Sequence, residues 1–383
     1  MNHPVLEAAA AMLGFRLECH GDLTLLDRPR RMLLISRAEK FPQPDATWVL
    51  NTVAVAKQLV EHREVLVAGN DRLAYELAQW TVRQCGGPTI TVLDRSENAL
   101  PPPATHALYV WPQTTPSDTE APQIRDRIIA ALSTHATAIH IRKSGVMAEL
   151  AASLRARSIP IDECPQLDRV ENAQAPQPSP APPGAVLDES TLSAWTFLTH
   201  FTRDPEGPWP GETRDEYLRW LSAGPRAPHR HAFAALCRIL KERRLRGCGR
   251  LIAGSAPMVC FTARHPRDVG AITHWRRGLQ RWTFTNYALA IPRHALAAAG
   301  ARAVRYVDRR ELDAALPNDK KFLQLTHSGE HDWSREEEWR VAGDLDLANS
   351  NRNAIVACVA RADEAAHLYR AYGLRSMILN TNF

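Results

Sequence analysis

The first half of the chain is written in short, unbroken apolar runs separated by longer amphipathic ones. Arg31-Met32-Leu33-Leu34-Ile35-Ser36, Glu64 to Gly69, Thr89 to Leu93, Ala107 to Trp111 and Ala138 to Ile141 are such runs, the pattern of strands buried on both faces. Between them, residues 45–62, 73–85, 124–133 and 145–157 repeat apolar side chains at helical spacing, and Gly86-Gly87 closes the second of these. Ile159-Pro160-Ile161 reads as a last edge strand. Strand and helix in alternation predict an α/β, doubly wound parallel-sheet domain over residues 30–165, after an N-terminal helical segment over 1–29.

The second half has shorter strands in a less regular order. Residues 195–201 fit a strand or a short helix, and 230–245 a helix with a basic end (Lys241, Arg243, Arg244, Arg246) and Gly247 as its stop. Strands are expected at 258–262, 283–291, 303–307, 338–341 and 353–359, and a helix at 363–372 stopped by Gly373. This predicts an α+β domain with several short strands over 190–383. Between the halves, prolines at 176, 178, 180, 182 and 183 occupy a stretch nearly free of large apolar side chains. It is expected to be an exposed, semi-extended linker over 166–189. No internal repeat relates the halves.

A chain of 383 residues exceeds one ordinary core, which agrees with two domains. Its 45% hydrophobic and 23% charged residues exclude wholesale disorder. A net charge of +5 permits nucleic-acid contact without requiring it. The seven cysteines form no C-x-x-C pair, which fits buried thiols in a reducing, cytoplasmic setting better than a disulfide framework or a zinc site. The N-terminal apolar run lacks a basic flank and suits an amphipathic helix rather than a signal peptide. No apolar stretch is long enough to span a bilayer, so no membrane contact is expected. The composition leaves a homo-oligomer open.

The densest chemistry lies at Asp332-Trp333-Ser334-Arg335-Glu336-Glu337-Glu338-Trp339-Arg340-Val341. If a strand runs from about Glu336, alternation puts Glu336, Glu338 and Arg340 on one face and Trp339 with Val341 on the other. That charged face either lines a cleft for a cationic or hydroxyl-bearing ligand or is a solvated, salt-bridged edge. His327, Glu330 and His331 lack a clear third ligand, so no metal is expected. His274-Trp275-Arg276-Arg277 and Arg281-Trp282 mix cations with aromatics, a combination that suits nucleic acid and equally a solvated face over a half-buried tryptophan.

Two blocks of the first half resemble the DprA-like (DNA-processing protein A) and SLOG Rossmann-type domains. One is residues 65–93, where a strand ends in Ala68-Gly69, a helix follows, and Gly86-Gly87-Pro88 leads to the next strand. The other is Ile124-Arg125-Asp126-Arg127-Ile128-Ile129 to Ser133, followed by Lys143-Ser144-Gly145 opening a helix. The resemblance implies a nucleotide or nucleic-acid ligand near Gly69, Ser144 and Gly145, where helix N-termini offer N–H groups to an anion. Arg125 and Arg127, with Arg142, Lys143 and Arg37, would supply charge. Asn70-Asp71-Arg72 replaces the further glycines expected in the first loop, and Asp71 would repel a phosphate.

The second half resembles abortive-infection proteins of the AbiGi type, through Leu198-Thr199-His200-Phe201-Thr202-Arg203, Thr283-Phe284-Thr285-Asn286-Tyr287 and the Trp333 to Arg340 block. More remotely it resembles the His-Tyr-Glu arrangement of ADP-ribosyltransferases. That resemblance implies an antiviral-defence or toxin-type effector that consumes NAD. Glu338, with Glu336, would stabilise the sugar cation, His200 and Thr202 would hold a ribose, Tyr287 would stack on nicotinamide, and Arg203 and Arg340 would meet the diphosphate. The competing expectation is a non-catalytic single-stranded nucleic-acid-binding protein with a partner-binding second half. Convergence of His200, Tyr287 and Glu338 around one pocket separates the two.

Overall fold

The computed structural model describes residues 3–36, 41–70, 72–94, 106–114, 116–117, 120–164, 182–187, 195–250, 252–276, 281–328, 331–348 and 350–379. Arg37, Asp71, Glu330 and most of the proline-rich segment lie outside them. The chain divides into two compact units, Met1–Glu171 with Glu206–His229, and Asn172–Pro205 with Arg230–Phe383.

The first unit contains α1 (Pro4–Leu13), β1 (Leu17–Gly21), β2 (Arg30–Ile35), α2 (Thr47–Glu61), β3 (Val65–Gly69), α3 (Leu73–Gln84), β4 (Thr89–Val92), β5 (Ala107–Pro112), α4 (Ala121–Leu132), β6 (His135–His140), α5 (Val146–Ala156), β7 (Ile161–Glu163) and α6 (Arg214–Ser222). Its sheet has the order β1-β5-β4-β3-β2-β6-β7. All neighbours are parallel except β1, which runs antiparallel to β5 along one edge. The unit is therefore an α/β fold on a mixed sheet: the strands within 30–165 are parallel as expected, and β1, outside that range, adds an antiparallel edge. That strand falls within the segment expected to be helical. Its alternating, half-buried side chains are those of an edge strand and give no continuous apolar run.

From β2 the chain winds outward through β3, β4 and β5, then returns to place β6 on the other side of β2. Right-handed crossovers in opposite directions put α2 and α3 on one face and α4 and α5 on the other, and the helices pair accordingly. The central strands β2, β3 and β4 are buried on both faces, as their apolar runs require: Met32, Leu34, Val65, Leu66, Val67 and Ile90 are essentially inaccessible.

Residues 206–229, expected with the second half, belong to the first unit. Helix α6 starts at a capping box between Thr213 and Glu216. It buries Tyr217, Leu218 and Leu221 in the first core, and Arg214 bonds Glu76 of α3 at 2.5 Å. No local pattern discloses this, because the partner surface lies more than a hundred residues earlier.

The second unit contains β8 (Phe197–Phe201), α7 (Ala232–Glu242), β9 (Arg244–Leu245), β10 (Met258–Thr262), β11 (Trp275–Arg276), β12 (Arg281–Trp282), β13 (Ala288–Pro292), α8 (Arg293–Ala298), β14 (Arg302–Ala303), β15 (Arg305–Val307), α9 (Arg309–Ala314), α10 (Pro317–Lys320), β16 (Leu323–Leu325), β17 (His327–Ser328), β18 (His331–Asp332), β19 (Glu338–Ala342), β20 (Leu345–Asp346), β21 (Val356–Val359), α11 (Ala362–Tyr372) and β22 (Arg375–Ile378). Its main sheet runs β14-β19-β10-β8-β13-β21-β22, antiparallel except for β21 with β22. Helix α7 ends earlier than Gly247, at Arg243 in the left-handed region (φ 52°).

Alternation divides this sheet between two cores. Leu198, Val259, Phe261, Leu289, Ile291 and Val341 share one face; Phe201, Ala288, Ala290, Val356 and Cys358 share the other. The described part of the expected linker is not free chain. Ala185 is buried, and its carbonyl and the Leu187 N–H exchange hydrogen bonds with Ser376 of β22 at 2.9 Å each.

Candidate active site

Glu338 opens β19, and Arg340 follows on the same face. Register places Cys260 of β10 opposite Arg340, and Thr262 opposite Glu338. Arg340 grips the Glu338 carboxylate with both arms: Nε donates to Oε1 at 2.9 Å and Nη2 to Oε2 at 2.8 Å. Its other hydrogen bonds go to the carbonyls of Lys321 (2.8 Å) and Leu323 (3.1 Å) and to Gln324 Oε1 (3.0 Å). Arg340 is 1% exposed. Arg340 thus holds Glu338 in place, and the expected diphosphate role falls away because its donors are already engaged inside the fold.

Glu336 is not on the strand. It ends a 3-10 turn, Trp333–Glu336, and Glu337 then takes a left-handed conformation (φ 46°) before β19 begins. The sequence pattern runs smoothly into β19, and this break interrupts it. Glu336 nonetheless stays beside Glu338. Burial, then the Glu338 charge, push its carboxyl up to about 7, against the pull of Arg203, Arg276 and Arg340. His331 Nε2 lies 3.7 Å from Glu336 Oε1. The His331 ring rests against His274 (4.0 Å) and Trp333 (4.2 Å), and Arg276 covers Trp333 at 4.8 Å. Burial, His274 and Arg276 lower the His331 pKa. Tyr306 accepts the Glu338 N–H at 2.8 Å, and burial raises its phenol to about 12. Burial and Glu338 together keep the Cys260 thiol protonated.

His200 is on the other side of the sheet. It pairs with Leu289 and packs its ring on Phe261, so it shares their face and not that of Glu338. Its Nδ1 bonds the Cys260 carbonyl at 2.9 Å, and burial depresses the imidazole to about 4. Tyr287 packs on Phe233, and its hydroxyl donates to the buried Glu364 at 2.9 Å. Thr202 is buried and donates to the Ala232 carbonyl at 2.8 Å. The expected convergence of His200, Tyr287 and Glu338 is therefore not formed. His200, Tyr287 and Thr202 are packed and hydrogen-bonded within the second unit, which removes their ribose and nicotinamide roles. Arg203 directs Nε and Nη2 to the Thr283 carbonyl, at 3.3 and 2.9 Å, yet lies near enough to Glu336 to lower its pKa. Of the expected cofactor contacts, Arg203 and Arg340 come to the carboxylates and Thr202 does not.

Sequence reasoning missed Tyr306, Cys260 and the contact between the His274 and His331 rings. Cys260 comes to the site only through the β10–β19 register, a non-local pairing. Tyr306 carries no local signal. Among the described residues no group of three His, Cys, Asp or Glu side chains is placed to hold a metal ion.

In the first unit, Gly69 ends β3 against a buried ion network. A Cβ there would meet Arg125 Cδ at 2.6 Å and Nε at 2.8 Å. Arg125 and Asp126 are both buried and bond at 3.0 Å; Tyr75 donates to Asp126 at 3.0 Å and Arg72 pairs with it at 3.1 Å. This glycine makes room for an arginine rather than a phosphate, and Arg125 is enclosed rather than presented to a ligand. Arg127 is exposed on α4. Ser144 and Gly145 are exposed after β6, and Gly145 (φ 105°) leads into α5 with no side-chain cap. They follow the carboxyl end of β6, where the Arg142 N–H bonds Ser36 Oγ at 3.1 Å. The winding direction reverses there, between β2 and β6.

No protein-family model matches the chain, and no curated protein matches it. Solved structures do match in part. DNA processing protein A from Streptococcus pneumoniae is 20% identical over 38% of this chain and 54% of its own, with a TM-score of 0.32. DNA processing protein A from Helicobacter pylori, which binds single-stranded DNA, is 21% identical over 39% of this chain and 72% of its own, with a TM-score of 0.33. The Moco carrier protein of Chlamydomonas rheinhardtii is 20% identical over 36% and 76%, with a TM-score of 0.26. The chain spans about half the length of the first of these. Among the described residues no helix is long and apolar enough to cross a membrane.

Proposed function

We propose that the second unit is an acid–base catalyst that breaks a glycosidic bond in an anionic, nucleotide-type substrate, with NAD as the first substrate to test. One observation carries the reading: of two neighbouring carboxyls, Glu336 is pushed up to about 7 by burial and the Glu338 charge, while Glu338 sits in a bidentate grip by Arg340. Different surroundings assign different tasks to like groups. Glu338 carries the negative charge that meets a developing sugar cation. Glu336, titrating near neutrality, takes the proton of the attacking water or acceptor. With NAD, the bond between ribose C1′ and the pyridinium nitrogen breaks and its electron pair leaves with nicotinamide. The acceptor oxygen bonds C1′, and its proton passes to Glu336. Arg203 and Arg276 set positive charge beside the carboxyls for the phosphates. His200, Tyr287 and Thr202 take no part, so the reading keeps the chemistry of an NAD-consuming effector without the His-Tyr-Glu constellation.

The test is incubation of the full chain with NAD, following nicotinamide release and labelled ADP-ribose. Wild type is expected to release nicotinamide with a rate that falls as pH drops below about 7, as Glu336 becomes protonated. Glu338→Gln should abolish release while leaving NAD binding near wild type. No release by wild type, or full activity in the Gln variant, overturns the mechanism.

A second reading concerns the first unit. Exposed Arg142, Lys143, Ser144 and Gly145 lie at the reversal point of a parallel sheet, ahead of an uncapped helix. We infer that a phosphate of a nucleotide or nucleic acid binds there, which would make this unit the sensing half of a two-part effector. Arg142→Ala with Lys143→Ala should weaken nucleotide or oligonucleotide binding severalfold. Unchanged binding by the double variant removes the site.

A further inference from the structure

The His331 ring is held by two others, His274 with its centroid 4.0 Å away and tilted by 39°, and Trp333 at 4.2 Å and edge-on. The turn that follows is pinned as well. Asp332 accepts the Ser334 N–H at 3.0 Å, and Thr262 of β10 donates its hydroxyl to the Glu336 carbonyl. His331 Nε2 is nevertheless buried and makes no hydrogen bond among the described residues. An acidic oxygen, Glu336 Oε1, lies 3.7 Å from it. A buried polar atom left unpaired costs about 1–3 kcal/mol, so its retention calls for a use.

Counting protons gives that use. A bare Nε2 and an ionised carboxylate would set two lone pairs against each other. A proton between them relieves this, either on Oε1 and donated to Nε2 or on Nε2 and donated to the carboxylate. The two groups hold it comparably, since Glu336 titrates near 7 and burial brings His331 below the ordinary 6.5. The charges bearing on the ring are Asp332 on its own strand, with His327 across from it on β17, Arg335 of the turn, and His274 and Arg276. Those bearing on the carboxyl are Glu338 and Arg340 of β19, Arg203 and Arg276. Transfer needs the gap to close by roughly 1 Å to hydrogen-bond distance, within reach of a rotation of the Glu336 side chain. We propose that His331 is a positioning residue for Glu336: the two share one proton, and the proton that Glu336 takes from the acceptor passes from Oε1 to His331 Nε2. The O–H bond breaks, an N–H bond forms, the imidazolium gives a proton to water, and Glu336 is again a base. This role in turnover rests on the cleavage chemistry proposed above, whereas the shared proton does not.

The experiment has two arms on the full chain. In the first, histidine ring nitrogens are labelled with ¹⁵N and followed by NMR from pH 4.5 to 9 without substrate, the His331 signals being those lost in His331→Phe. In wild type the Nε2 shift should move in two steps, one for the ring and one for Glu336, as coupled groups do. In Glu336→Gln the second step should vanish. The second arm measures nicotinamide release from NAD. His331→Phe keeps a flat ring between His274 and Trp333 but has no nitrogen. It should lower kcat about tenfold, a fraction of what general base catalysis contributes, with KM and melting temperature near wild type, and free imidazole should restore part of the loss. A His331 titration that is the same with and without the Glu336 carboxyl overturns the shared proton, whether or not NAD is cleaved. A phenylalanine variant as fast as an active wild type, or one that imidazole does not rescue, overturns the transfer. Coupled titration with no nicotinamide release by wild type upholds the pair and overturns the cleavage reading instead.

Discussion

Replacing Glu336 with Gln should make the protein more stable at alkaline pH, although it deletes a charged group from a cluster of arginines. The folded protein holds this carboxyl at about 7 against an ordinary value of 4.5. A carboxyl raised on folding keeps its proton where the unfolded chain has lost it. Stability contributed by the neutral form is therefore complete at pH 4 and falls as pH rises from about 4.5 through about 7. A shift of this size corresponds to roughly 3 kcal/mol at about 1.4 kcal/mol per unit. Glutamine has the same shape and never ionises. Urea unfolding at pH 5 and pH 9, followed by tryptophan fluorescence, should show the two proteins close together at pH 5. At pH 9 the variant should be the more stable by up to about 3 kcal/mol. His200, buried and depressed to about 4, acts in the opposite sense, costing stability as pH falls from about 6.5 toward 4. Both proteins share that term, so it cancels in their difference. Parallel pH profiles for wild type and variant would refute the argument and with it the assignment of Glu336 as a near-neutral base.

Two further substitutions test the packing around the expected sites. Gly69→Ala places a methyl group within 2.8 Å of two Arg125 atoms; it should destabilise the first unit by about 1–3 kcal/mol as an overpacked site, seen as a lowered melting temperature in calorimetry. An unchanged melting temperature would show that Arg125 can move freely. Arg340→Met leaves Glu338 without its two-armed partner and the Lys321 and Leu323 carbonyls without their donor. It should cost about 3–5 kcal/mol in urea unfolding, and a loss under 1 kcal/mol would mark the pair as exposed and weak.

The parallel core of the first unit was legible because its central strands β2, β3 and β4 are buried on both faces and so appear as unbroken apolar runs. β1 was not, because an edge strand packs half its side chains. In the second unit the residue types around Glu338 were legible, but their geometry was not. Whether His200 faces Glu338 depends on the registers of β8, β10 and β13, which are non-local pairings. Glu337 adopts a left-handed backbone that no glycine announces, so alternation counted back through it misplaces Glu336. Gly69 had the expected position but a different purpose, since the space it leaves is filled by a side chain from α4, far along the sequence.

The chain passes from one unit to the other three times, at 171, 205 and 229, and this governs the order in which it can fold during synthesis. When residue 171 has emerged, the first sheet has all its strands but lacks Tyr217, Leu218 and Leu221, which complete its core. β8 follows, with its sheet neighbours β10 and β13 still unmade. Only after residue 229 is the first core closed, while an orphan strand of the second waits for the remaining chain. Cleavage within the proline-rich segment would therefore not release two whole domains. It would strip α6 from its seat and leave each fragment with apolar surface that belongs to the other.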